Sequence, residues 1–257
     1  MPSKLATGQF LENAGADTSV SEGTQVSAAG SNNVKGSYVQ LIASTAHPAG
    51  GMLIVLGGAN SGGRGFLVDI AVGAAASEQV IIPNLYHYAQ QDSTFTYTYV
   101  PISVPKGSRL SARVQSTSAS SNVRVNLILV AGESSLPQAA VDYGSNTGST
   151  TGTSVTSGSG SNNKGSWAQL TASTTAPHRW GIFCVRASGN SQYLFDIGIG
   201  GSGSEQVLVP NLNCRDSSTG PPVIYSMPMR IPKGTRVACR AASATGSLGA
   251  SVVLVMI

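Results

Sequence analysis

Short apolar runs alternate along this chain with clusters of Gly, Ser, Asn and Pro. In Phe95-Thr96-Tyr97-Thr98-Tyr99-Val100 the aromatic residues share one face and the threonines the other. Leu110-Ser111-Ala112-Arg113-Val114 alternates apolar with polar in the same way. A period of two is the mark of a strand with two unlike faces. The pattern predicts strands at Tyr38–Ile42, Met52–Leu56, Phe66–Val72, Gln79–Ile82, Phe95–Val104, Arg109–Gln115 and Val123–Val130. A second set follows at Trp167–Thr171, Gly181–Val185, Tyr193–Ile199, Gln206–Val209, Val223–Ile231, Arg236–Ala241 and Ala250–Ile257. Glycine interrupts every window that could sustain a helical period. The last strand of each set is nearly all apolar, which predicts a central strand covered on both faces and a tied-down C-terminus.

The two sets are one set written twice. Asp69 … Ser77-Glu78-Gln79-Val80-Ile81-Ile82-Pro83-Asn84-Leu85 returns as Asp196 … Ser204-Glu205-Gln206-Val207-Leu208-Val209-Pro210-Asn211-Leu212. Pro105-Lys106-Gly107-Ser108-Arg109-Leu110 … Arg113 returns as Pro232-Lys233-Gly234-Thr235-Arg236-Val237 … Arg240. The shift is 127 residues (196 − 69), and it becomes 129 upstream, where Gly15, Thr18, Gly23 and Val26 match Gly144, Thr147, Gly152 and Val155. Such a period is too long for a solenoid unit and predicts two complete domains. The expected organisation is an N-terminal arm 1–14, a first domain 15–132, a linker 133–143 and a second domain 144–257. Seven or eight antiparallel strands in each copy describe an all-β fold of two tandem β-sandwiches, of jelly-roll or immunoglobulin-like topology. The Gly/Ser/Thr-rich lead-in to each copy reads either as flexible linker or as a semi-ordered arm laid on a neighbour.

Composition narrows the function classes. Only 10% of the 257 residues are charged, while 41% are hydrophobic, so the chain folds but offers a largely neutral surface. Net charge is +4 with no Lys/Arg run, which argues against nucleic acid as a partner. No apolar stretch has the length of a membrane span. The polar beginning suggests a chain made in the cytoplasm without a secretory leader. Cys184, Cys214 and Cys239 all fall in the second copy, an odd number that predicts free buried thiols.

The candidate chemistry is thin. Asp69 with Glu78, and Asp196 with Glu205, could form a hydrolytic carboxylate pair. Their recurrence in both copies favours ion pairs with Arg113 or Arg240, or caps on loop amides. His47, His87 and His178 show no zinc spacing, although His47 and His178, beside Pro48 and Pro177, are expected in equivalent loops. There is no G-x-S-x-G elbow. The Gly57–Gly63 segment leads into a strand, not a helix, and reads as a hairpin loop. No catalytic, cofactor-binding or metal-ligating residue is therefore expected. Pro105-Lys106-Gly107 and Pro232-Lys233-Gly234 read as matching tight turns. Tyr86, Tyr88 and Tyr97 in the first copy, with Trp167 and Trp180 in the second, could form a sugar-stacking platform or could simply pack.

At the repeated Ser-Glu-Gln-Val … Pro-Asn-Leu and Pro-Lys-Gly-[Ser/Thr]-Arg signatures, residues 23–132 and 152–257 resemble accessory virion proteins of tailed bacteriophages. That resemblance implies a non-enzymatic β-sandwich part attached to the tail or tail fibre, or decorating the capsid surface. It implies location in the virion, other virion proteins as partners, and a homo-oligomer, trimeric or a ring. The alternative is a receptor-binding module whose sandwich reads a host surface glycan.

Overall fold

The structure is a computed structural model that describes residues 11–20, 22–58, 62–90, 94–132, 139–187, 191–216 and 222–257. The first copy runs β1 (Leu11–Ala14), β2 (Ala16–Asp17), β3 (Glu22–Ser27), β4 (Val39–Ile42), β5 (Ala49–Gly57), β6 (Gly63–Val72), β7 (Gln79–Gln90), β8 (Phe95–Val100), β9 (Leu110–Ser116) and β10 (Asn122–Ala131). The second runs β11 (Val141–Tyr143), β12 (Ser145–Asn146), β13 (Thr151–Thr156), β14 (Ala168–Thr171), β15 (His178–Ala187), β16 (Ser191–Ile199), β17 (Gln206–Asp216), β18 (Val223–Ile231), β19 (Val237–Ser243) and β20 (Gly249–Met256). Among the described residues there is no helix.

Each copy is a sandwich of two antiparallel sheets. One has the order β3-β10-β5-β8 facing β4-β9-β6-β7; the other has β13-β20-β15-β18 facing β14-β19-β16-β17. Counted from β3, the strands pair as first, eighth, third, sixth and as second, seventh, fourth, fifth. That is the jelly-roll order, so the immunoglobulin-like alternative falls away.

The lead-ins are ordered strands. β1 pairs with Leu127–Val130 of β10, and β11 with Leu254–Met256 of β20, while β3 and β13 cover only the earlier halves of those strands. The full length of a central strand needs backbone partners, and the lead-ins supply them. Residues 11–14 and 141–143 therefore belong to the sandwiches, a correction to the expected arm 1–14 and linker 133–143. Residues 1–10 and 133–138 lie outside the described residues.

β7 and β17 are also longer than expected, because Pro83 and Pro210 do not end them. The β6–β7 register shifts between Val68 and Ile70, and the β16–β17 register between Phe195 and Ile197. Each bulge takes up a Pro-Asn step, in which Asn84 and Asn211 adopt φ of 48° and 51°. Asn tolerates that left-handed conformation, and a bulge spares Pro a ladder bond it cannot make.

Phe66, Val68 and Ile70 of β6 face Val125, Leu127 and Leu129 of β10 across the first core, and Phe183, Phe195 and Leu254 anchor the second. The cores are not separate. Ile182, Cys184, Val253, Val255 and Ile257, on the outer face of β15 and β20, join the cluster of the first sandwich. β20 is thus covered on both faces as its sequence predicts, and Ile257 is held by bonds in both directions with the backbone of Trp180. β10 departs from the same expectation. Its outward residues Arg124, Asn126, Ile128 and Val130 are only half-buried, because none of the described residues covers that face.

Candidate functional site

The repeated carboxylates sit in matching cation networks. Asp69 is buried, with Oδ1 accepting from Lys35 Nζ (2.8 Å) and from the Asn84 amide (2.9 Å), and Oδ2 accepting from Arg113 Nε (2.9 Å). Asp196 repeats the arrangement with Lys164, Asn211 and Arg240 at 2.8, 2.9 and 2.9 Å. The Pro-Asn bulge is what turns the asparagine amide onto the carboxylate. Burial pushes the Asp196 carboxyl up, but hydrogen bonds from Lys164, the Asn211 amide and Arg240 outweigh it and leave it below the usual value. Burial also pulls Lys35 below the ordinary lysine value despite Asp69. Glu78 and Glu205 pair with Arg109 and Arg236 at 3.0 and 2.8 Å. Every one of these carboxylates is therefore engaged by a cation, as its recurrence suggested. Among the described residues, no three His, Cys, Asp or Glu side chains gather where they could hold a metal ion.

The histidines follow different rules. His87 is fully buried, stacked on Phe66, with Nδ1 3.0 Å from Thr96 Oγ1. Burial pulls its pKa down to about 3, so it is neutral in the folded chain. His178 lies at the start of β15, with Nε2 2.9 Å from Tyr143 Oη, and burial lowers it too. The strand register aligns His178 with Ala49, and so Pro177 with Pro48: the two loops correspond, but the two histidines do not hold the same position in them. The three cysteines are free and buried, as expected, and burial pushes the Cys184 thiol up to about 12.

The tight turns are built alike. Gly107 and Gly234 have φ of 80° and 79°, which favours glycine. Pro105 sits one place before the corner, since its carbonyl accepts from Ser108 N. A buried threonine, unnoticed in the sequence, clamps each turn: Thr45 and Thr174 donate Oγ1 to the carbonyls of Pro105 and Pro232 (2.9 and 2.7 Å). Each also accepts a turn amide on the same oxygen, from Ser108 or Thr235. Lys106 and Lys233 stand exposed at the tips. These turns are structural corners.

The candidate aromatic platform breaks up. Tyr86 and Tyr88 are buried between the sandwiches, with the Arg186 guanidinium 3.2 Å from the centroid of the Tyr88 ring. Trp180 lies at the same junction, edge-on to Tyr99, with Nε1 donating to Ser226 Oγ. Trp167 carries Arg240 on its ring at 4.5 Å, as Tyr38 carries Arg113 at 4.6 Å. Of the five aromatics singled out, only Tyr97 is free, 63% exposed. The exposed row is instead Phe95, Tyr97 and Tyr99 along β8, while Thr96 and Thr98 point inward. Beside it a hollow of about 380 Å³ is lined by Asp17, Glu22, Val55, Arg124 and Asn126. A wider depression of about 830 Å³ reaches Pro105 and Arg109 but has no His, Cys, Asp or Glu among its described wall residues.

The two sandwiches also meet each other through a bonded junction. Gln115 Nε2 donates to Thr147 O (2.7 Å) and Thr150 Oγ1 (2.9 Å), and Thr150 Oγ1 donates to Asn33 Oδ1 (2.8 Å). Asn84 Nδ2 donates to Asp142 Oδ2 (2.7 Å), and the Ala140 amide to Ile81 O (2.7 Å). Around these bonds the outer face of β6 and β7 lies on the outer face of β15 and β20.

No family model and no curated protein matches the chain. Among solved structures, a "putative secreted protein" from Parabacteroides distasonis is 7% identical with a TM-score of 0.24, covering 100% of this chain and 91% of its own. The tandem CBM22-1–CBM22-2 domains of Paenibacillus barcinonensis Xyn10C are 9% identical with a TM-score of 0.30, covering 99% and 94%. These likenesses bring no residue across, and the jelly-roll assignment rests on the strand order.

Proposed function

We propose that this protein is a non-enzymatic structural component of a tailed-phage particle, a building block whose sandwich faces serve as contact surfaces. One observation carries the reading: the module already serves as its own partner. The outer face of one sandwich is buried against a different outer face of its repeat, with hydrogen bonds running across the contact. The buried carboxylates support it, since Asp69 and Asp196 are each engaged by cations. The resemblance of the repeated signatures supplies the particle. Jelly rolls serve both capsids and lectins, so the fold itself does not decide. Mass spectrometry of purified particles, with antibody labelling in negative stain, tests the proposal. The chain should appear in stoichiometric amount at one place on the particle, and its absence would sink the reading.

A second reading has its own observation. Phe95, Tyr97 and Tyr99 form an exposed aromatic row beside Asp17, Glu22 and Arg124, the combination that stacks on and hydrogen-bonds to a sugar. Binding on an array of host surface glycans, lost in Tyr97→Ala, would establish it.

A further inference from the structure

Each of the two faces that meet in the junction recurs on the other sandwich, where none of the described residues covers it. We propose that a second copy of this chain docks there head to tail, the β16/β17 face of one chain receiving the β5/β10 face of the next. This deepens the structural reading above and names the partner of its contact surface.

The repeat supplies a residue-by-residue template. Leu67, under the second sandwich, is 0% exposed, whereas its counterpart Leu194 is 39% exposed. On the other side Ile182, Cys184, Val255 and Ile257 are buried in the junction. Their counterparts by strand register, Leu53, Val55, Ile128 and Val130, stand half-exposed. Two faces that expose such apolar residues, with no cover among the described residues, are costly on a chain this poor in charge.

The detailed contacts change on both sides together. In the junction the turn at Thr147–Thr150 enters a site made by Asn33, Gly65 and Gln115. The matching place on the second sandwich is a hollow of about 200 Å³ lined by Asn162, Gln192, Leu194, Ala242 and Ala244. Gln115 and Thr117 have become Ala242 and Ala244 there, while Gln192 stands in place of Gly65, so the hydrogen-bonding groups of the hollow are rearranged. The turn that would enter it, Thr18–Ser19–Val20, has gained an apolar tip, since Val20 stands where the second copy has Ser149 and is exposed.

The cation–aromatic pair exchanges sides in the same manner. At the junction Tyr88 of the first sandwich meets Arg186 of the second. At the free ends Arg215 holds the place of Tyr88, and Gly57 holds the place of Arg186. The ring of Phe95 lies directly over Gly57, where a Cβ would meet it at 2.2 Å. Arg215 of one chain would therefore face Phe95 of the next, beside the ion pair of Arg124 with Glu22. A contact between unlike faces closes into a ring or runs on as a fibre, according to the rotation it imposes.

Sedimentation of the full chain tests this with two exposed substitutions, Leu194→Glu on one face and Tyr97→Glu on the other. The native chain should sediment as a closed multiple of the protomer or as a fibre, and each variant should be monomeric with an unchanged circular dichroism spectrum. An equimolar mixture of the variants retains one intact pair of faces and should yield a dimer and nothing larger. A monomeric native chain, a mixture that stays monomeric, or an effect from only one substitution overturns the proposal. Oligosaccharide binding by a monomeric native chain, lost in Tyr97→Glu, would also overturn it and give the face to a glycan. Absence of an oligomerising chain from phage particles would instead remove the virion reading and leave this contact standing.

Discussion

The guanidinium of Arg186, in the second sandwich, lies over the ring of Tyr88, in the first, 3.2 Å from its centroid. The pair fastens two domains whose apolar residues already share one cluster. A cation over a desolvated aromatic face contributes about 0.5–2 kcal/mol. A double-mutant cycle of Tyr88→Ala and Arg186→Ala, read by urea denaturation, should give a coupling of about 1 kcal/mol. Additive single effects would mean that the two side chains are neighbours without being partners.

The Asp196 network should be a stability element with a defined acid limit. Asp196→Asn leaves Lys164 and Arg240 facing an amide, and because both cations are partly exposed the cost should be about 1–3 kcal/mol. The folded carboxyl sits below its ordinary value of 3.8. Its contribution is therefore present above that value and fades as pH falls through the lower, folded one. The difference in melting temperature between native chain and variant should be constant near neutrality and shrink at strongly acid pH. A difference that grew with acidity would assign the effect to something other than this carboxylate.

Much of this was legible in the sequence, and the failures share a cause. Period-two patterning and the repeated segments revealed strands, duplication and the ion pairs of Asp69 and Asp196, because these are local or repeated features. The alternation in β8 showed two faces but not which one points inward. Thr96 is buried by its bond to His87, which no local rule anticipates, and the aromatics face out. Tyr86, Tyr88 and Trp180 left platform and packing both open because the sequence shows aromatic character without showing what covers it. Their cover is the other copy, as the half-exposed outer face of β10 and the buried one of β20 show by contrast. The clamps Thr45 and Thr174 were invisible because their partners lie about 60 residues away in sequence, across a turn, and only tertiary structure brings them together.

His87 should limit stability in mild acid. Its folded value of about 3 lies below the ordinary 6.5, so the unfolded chain takes up the proton first and stability falls as pH drops from about 6.5 towards 3. The second copy carries Cys214, also buried, at the matching position. His87→Cys should cost about 1 kcal/mol at neutral pH through the lost Thr96 bond. It should also flatten the acid limb of the stability profile. An unaltered acid limb would show that another group governs it.

The paired turns offer the most direct comparison of the two copies. Gly107 and Gly234 hold nearly identical positive φ, and a Cβ at either would meet no atom within 4 Å. Any penalty for Gly107→Val or Gly234→Val must then come from backbone conformation and not from a clash. A β-branched residue in that region costs about 1–3 kcal/mol. Gly→Asn should cost less, because Asn tolerates the left-handed region, as Asn84 and Asn211 already do. The same order of stability, Gly above Asn above Val, is expected in both sandwiches from thermal unfolding of the full chain. Equal losses for Asn and Val would point to side-chain crowding, which the open space around both glycines does not provide.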